Sequence, residues 1–110
     1  MKFAIPLAEG KLTAHFGHCQ EVAIIEVEND QIKDKKIHVP PLHEPGALPR
    51  WLHEMGADVI IASGMGQRAI DLFSQNNINV VIGAPSLEPE GLVTSYIDAT
   101  LETGDNFCDH

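Results

Sequence analysis

Two short stretches of the 110-residue chain carry five of its eight imidazole and thiol side chains. His15-Phe16-Gly17-His18-Cys19 places two imidazoles and a thiol around a glycine. Cys108-Asp109-His110 places a thiol and an imidazole two residues apart. Imidazole and thiolate suit Zn, Cu and Fe, and thiolates hold iron–sulfur clusters. Side chains two apart in an extended chain point the same way, about 6.6 Å apart, so both could reach one ion. By local spacing alone a second reading stands beside each motif. His15 can cap a loop, and Cys19 can be a small buried residue. The tail can be a plain chain end, or can carry a vector-derived histidine. Neither stretch has a zinc-finger spacing.

A third candidate is Ser63-Gly64-Met65-Gly66, where a strand runs into a helix. Free N–H groups at a helix start favour an anion. The alternative is a tight turn that needs glycine dihedrals. The stretch lacks the spacing and the Lys-Ser/Thr ending of a Walker loop. Gly83-Ala84-Pro85 is a similar, weaker candidate. His38, His43 and His53 read as solvated surface groups, and Trp51 as a core residue.

The elements that must position these residues follow from the apolar pattern. Phe3 to Leu7 is a strand, and Ala8 to Gln20 a loop. Val22 to Glu28 and Ile32 to Val39 form a hairpin about the Asn29-Asp30 turn, the latter strand lying near an edge with its Lys33 to Lys36 cluster as edge protection. Leu48, Trp51, Leu52 and Met55 mark one helix face over Ala47 to Met55, with Gly56 as its stop. Asp58 to Ala62 and Asn79 to Ile82 are buried strands. A second helix carries Ala69, Ile70, Leu72 and Phe73. A third covers Gly91 to Leu101, with Leu92, Tyr96, Ile97 and Leu101 inward. The expected order is β-β-β-α-β-α-β-α, an α/β fold with a five-stranded mixed sheet of the ribonuclease-H-like type and right-handed crossovers. The loop after a central first strand then lies at the carboxyl edge, where open α/β sheets bind ligands. Residues 1–110 read as one domain with a polar tail over 104–110.

Composition excludes several functions. A formal charge of −9, from 16 acidic and 7 basic residues, argues against nucleic acid and against an anionic membrane surface. The start of the chain is too short in apolar residues, and too broken by Pro6 and Glu9, to be a signal peptide. No stretch reaches the length of a membrane span. A cytoplasmic location follows as the expectation, with the cysteines as thiols or ligands rather than a structural disulfide. The first strand holds no carboxylate to bind paired catalytic metals, and no Ser-His-Asp or Cys-His pattern is evident, so a metal-dependent hydrolase is the weaker reading.

Lys2-Phe3-Ala4-Ile5-Pro6, His15-Phe16-Gly17, Gly56-Ala57-Asp58-Val59-Ile60, Gly64-Met65-Gly66 and Cys108-x-His110, in that order, resemble the dinitrogenase iron–molybdenum cofactor biosynthesis family. The resemblance is greatest to its short, stand-alone members. It implies the ribonuclease-H-like fold and a role in binding or carrying a metal cluster or its precursor. Relatives include NifX-type carriers, the C-terminal domain of the cofactor-building radical enzyme (NifB), and a branch with a mixed molybdenum–copper sulfide cluster. Position 18, often Arg in the family, is His18 here.

The resulting expectation is a non-enzymatic carrier or scaffold for an Fe-, Mo- or Cu-containing cluster. His15, His18, Cys19, Cys108 and His110 are its candidate metal ligands. Phe16, Gly17, Gly64, Met65 and Gly66 are candidate cluster-binding residues. The expected partners are the cluster or its precursor and a protein of cluster assembly. The alternative is a metal- or anion-sensing regulatory module that docks on a partner protein.

Overall fold

The computed structural model describes residues 1–12, 20–40, 47–84 and 88–98. Its elements are β1 (Lys2–Ala8), β2 (Lys11–Leu12), β3 (Glu21–Glu28), β4 (Gln31–His38), α1 (Ala47–Glu54), β5 (Val59–Ile61), α2 (Gln67–Gln75), β6 (Asn79–Val81) and α3 (Pro89–Ile97). The sheet runs β4-β3-β1-β5-β6, and β2 pairs with β1. β1 is antiparallel to β3 and parallel to β5, so the sheet is mixed. The hairpin and the three strand–helix alternations stand where the pattern puts them. Among the described residues the sheet has six strands rather than five, because part of the expected loop from Ala8 to Gln20 is β2.

Side-chain alternation along the strands divides the core between the two faces. Phe3, Ile5 and Leu7 join Ala23, Ile25, Val59 and Ile61 under Leu92 and Val93 of α3. Ala4 joins Val22, Ile24 and Ile60 under Leu52 of α1 and Phe73 of α2. The result is three layers, with α3 on one face and α1 and α2 on the other. The smallest core side chain of β1, Ala4, lies on the face that two helices share.

The turns follow from local chemistry. Asn29 and Asp30 both have positive φ, 54° and 61°. That is the primed turn whose twist suits a two-residue hairpin, and Asn and Asp tolerate it. Gly56, at φ 82°, closes α1. Its N–H donates to the His53 carbonyl, and the Ala57 N–H reaches the Leu52 carbonyl, both at 3.0 Å. This left-handed cap satisfies carbonyls that the helix end leaves open. α3 begins at Pro89, two residues before the expected Gly91, because proline's fixed φ and missing N–H suit a first helical position.

β4 and β6 are the edge strands, and β4 is exposed along nearly its whole length. Tyr96, expected inward, is 37% exposed and meets Phe3 edge-on at 5.2 Å between ring centroids. Leu101 lies outside the described residues. His53 donates through Nδ1 to the Asn76 carbonyl at 2.9 Å, joining α1 to the end of α2, and His38 stands edge-on to Trp51. His53 is exposed, as the surface reading expects, while His38 is half-buried against Trp51. His43 lies outside the described residues.

Among the described residues no helix is long and apolar enough to cross a membrane.

Candidate functional site

The strands β1, β5 and β6 are parallel, so their carboxyl ends share one edge of the sheet. Three chain segments leave from that edge. The first is organised by Leu7. Leu7 pairs with Glu21 of β3 on one side and with Leu12 of β2 on the other. The N–H of Gln20 donates to the Leu7 carbonyl at 2.7 Å. Since β3 occupies one side of β1, β2 must lie on the side of β5, beyond the point where β5 pairs. The chain therefore enters the segment Thr13 to Cys19 on one side of β1 and leaves it on the other.

Pro6 stands at the change of partner. Met1 and Val27 exchange both backbone hydrogen bonds, so alternate residues of β1 turn their N–H away from β3. Pro6 is one of these, and its missing N–H costs no ladder bond between β5 and β2. A proline inside a central strand is otherwise unfavourable. Pro6 is thus the signal of this break in the sequence.

The second and third segments are tied together. After β5 the chain runs through Ala62-Ser63-Gly64-Met65-Gly66 into α2; after β6 it turns at Gly83. The Gly83 N–H donates to the Ser63 carbonyl at 2.8 Å, and the Ala84 N–H to the Ala62 carbonyl at 3.2 Å. Gly83 takes φ 78°, a region costly for other residues. Gly66 is the N-cap of α2 at φ −68° and ψ 154°, with no side-chain cap. An ordinary extended residue adopts those angles, so Gly66 is not there for a left-handed turn. A Cβ added to it would meet nothing within 4 Å.

Among the described residues, the backbone contributes positive potential at this edge. The first N–H groups of an α-helix have no partner within the helix, and they carry the positive end of its dipole. α2 and α3 both start from this edge. Met65 is fully buried with Phe73 and Leu52, so its side chain is a packing group, and only its backbone could meet a ligand.

Of the residues singled out in the sequence, the structure therefore brings Gly64, Met65 and Gly66 next to the Gly83-Ala84 turn. His15, Phe16, Gly17, His18, Cys19, Cys108 and His110 lie outside the described residues. Among the described residues, no three His, Cys, Asp or Glu side chains are grouped to hold a metal ion. The far end of α3 bears on the tail. Tyr96 and Ile97 line a groove of about 510 Å³ with Met1, Phe3 and Val27, at the amino end of β1. Asp98 thus stands at the end of the sheet opposite Leu7.

The three layers and the three segments at one carboxyl edge define an open-sheet α/β protein of the class that places its ligand site there. Within that class, the chain belongs to the dinitrogenase iron-molybdenum cofactor family, whose pattern matches residues 1–99. The match includes His15 to Cys19 and Gly64 to Gly66, and stops before Cys108. The chain is 35% identical over 85 residues to the uncharacterized protein MJ0580 of Methanocaldococcus jannaschii, covering 73% of this chain and 72% of that one. The crystal structure of PH0822 superposes with a TM-score of 0.86 at 26% identity, over 94% of each chain. The apo form of the orange protein from Desulfovibrio gigas superposes with a TM-score of 0.76 at 16% identity, over 96% of this chain and 93% of that one; at that identity the likeness is one of fold.

Proposed function

We propose that this protein binds and carries, without catalysis, a metal or metal–sulfur cluster of the Fe/Mo type, or its precursor, as cargo. The carrying observation is the arrangement at Leu7 in a chain of the dinitrogenase iron-molybdenum cofactor family. The segment with His15, His18 and Cys19 is anchored at both ends to the carboxyl edge from which Gly64 to Gly66 leads into α2. In this reading Cys19, Cys108 and His15 are ligands, with His18 and His110 completing the set. Phe16 and Gly17 shape the loop. The N–H groups from Gly64 to the first turn of α2 face an anionic cluster.

The order β4-β3-β1-β5-β6, with β1 central, supports a ribonuclease-H-like fold for the single domain. Fully extended, the chain from Asp98 to Cys108 spans at most about 33–36 Å. The seven residues of β1 cover about 20 Å. Cys108 can thus travel back along the molecule to the Leu7 edge. We place the protein in the cytoplasm, where reduced thiols suit cluster transfer to a partner in assembly. The test is anaerobic purification followed by metal analysis and a visible spectrum, with addition of Fe and sulfide, Cu, or thiomolybdate. A chromophore and bound metal are expected. A colourless protein that takes up none of these ions overturns the reading.

A further inference from the structure

The β4 edge of the sheet is unusual for this chain in its charge. Three of its 7 Lys and Arg residues, Lys33, Lys35 and Lys36, lie within β4, although the chain as a whole carries −9. Among the described residues, no strand pairs with the outer side of β4. The ladder sets which of its backbone groups are free. Met1 and Val27 exchange hydrogen bonds, so Ala23, Ile25 and Val27 turn their polar backbone groups to β1. Val22, Ile24 and Glu26 then turn theirs to His38, Lys36 and Asp34, their partners in β4. The N–H and carbonyl groups of Lys35 and Ile37 point out of the sheet.

The side chains beside these groups are unfinished as a surface. Ile32 is 37%, Ile37 43% and Val39 78% exposed. The Lys33–Glu28 and Lys36–Asp34 pairs are long, at 3.8 Å, and well exposed. Such pairs hold their partners weakly. A second copy of β4 is a poor occupant. Antiparallel pairing through the outward groups sets Lys35 against Lys35, or Lys36 against Lys36 when Lys35 meets Ile37, and like charges opposite one another are unfavourable. An extended acidic strand meets the lysines, the apolar positions and the free backbone groups at once.

We propose that the outer edge of β4 is a docking site for an extended acidic segment of a partner protein, in which Glu or Asp alternates with β-branched residues. It adds to the sheet as a further strand, with its carboxylates on Lys33 and Lys36 and its backbone on Lys35 and Ile37. This inference does not depend on the cluster reading.

The probe is a blocked peptide of alternating glutamate and valine, about as long as β4, titrated into the intact protein at low salt. Hydrogen exchange at the Lys35 and Ile37 amides is expected to slow by about tenfold or more, while neighbouring β3 amides stay unchanged. Binding should weaken as salt is raised. The double variant K33E/K36E should lose at least about tenfold in affinity and keep its fold, because both side chains are solvated. Ile37→Pro removes an outward N–H that β3 does not use, and should abolish pairing with little change in the circular dichroism spectrum. The proposal is overturned by no protection at millimolar peptide, by equal binding of a lysine–valine peptide, or by a dimer whose β4 amides are protected without peptide.

Discussion

The ammonium of Lys35 on the edge strand lies 2.9 Å from the Glu90 carboxylate in the first turn of α3. It joins the outermost strand to the helix that covers one face of the sheet. The hydrogen bond from Lys35 is the main reason the Glu90 carboxyl is held below its usual value of 4.5, against an opposing desolvation. The folded state thus favours the charged form. The stabilisation is present above the unfolded value of 4.5 and is lost as pH falls through the lower folded value. Both side chains are more than a third exposed, so screening limits the pair to about 0.5 kcal/mol. Glu90→Gln should lower Tm by about 2–4 °C at pH 7. The gap between variant and parent should close in acid, and thermal melts from pH 7 to pH 3 check this.

Met65 separates packing from ligation. A fully buried methionine replaced by alanine leaves a cavity and costs about 2–5 kcal/mol, whereas leucine fills nearly the same volume at a cost of less than about 1.5 kcal/mol. Met65→Leu is expected to load metal as the parent does. Cluster content per folded protein that falls in Met65→Leu would make the thioether a ligand instead.

The two glycines of the edge should respond differently to alanine. Gly83→Ala forces a Cβ onto a backbone at φ 78° and should cost about 1–2 kcal/mol. Gly66→Ala meets no steric obstacle and should cost at most about 1 kcal/mol as a poorer cap. Denaturant titration of the two variants at equal m-value gives the comparison.

Cys19→Ser and Cys108→Ser should each lose most of the bound metal with Tm unchanged in the metal-free protein. Mixing the two variants then decides how the cysteines meet. Recovery of metal binding in the mixture means that one chain lends its tail to another; no recovery means that both belong to one chain. Full metal content in both single variants removes the cysteines from the ligand set.

The fold was legible wherever burial imposed a period. β1, β3 and the two short parallel strands are continuous apolar runs because both faces of the sheet are covered, and α1 shows its buried face through Leu48, Trp51, Leu52 and Met55. β2 was not legible, since two residues carry no period and the Glu9-Gly10 turn before it sits in a polar stretch. β4 carries isoleucines that would suggest burial, yet an edge position leaves them partly open. The chemistry proposed for the site was readable from residue type alone, in the imidazoles of His15 and His18 and the thiol of Cys19, which lie outside the described residues. Its framework was not. That Leu7 anchors both ends of the segment depends on β2 and on Gln20, and neither differs locally from an ordinary loop residue.

The anchoring at Leu7 has an evolutionary consequence. Leu12 and Gln20, the residues that flank Thr13 to Cys19, are both held by the sheet at Leu7. Lengthening a loop whose ends are already closed costs little, about 0.6 kcal/mol per doubling. The stretch can therefore be exchanged as a cassette. New donor atoms can be tried there, one insertion at a time, while the scaffold beneath keeps its shape.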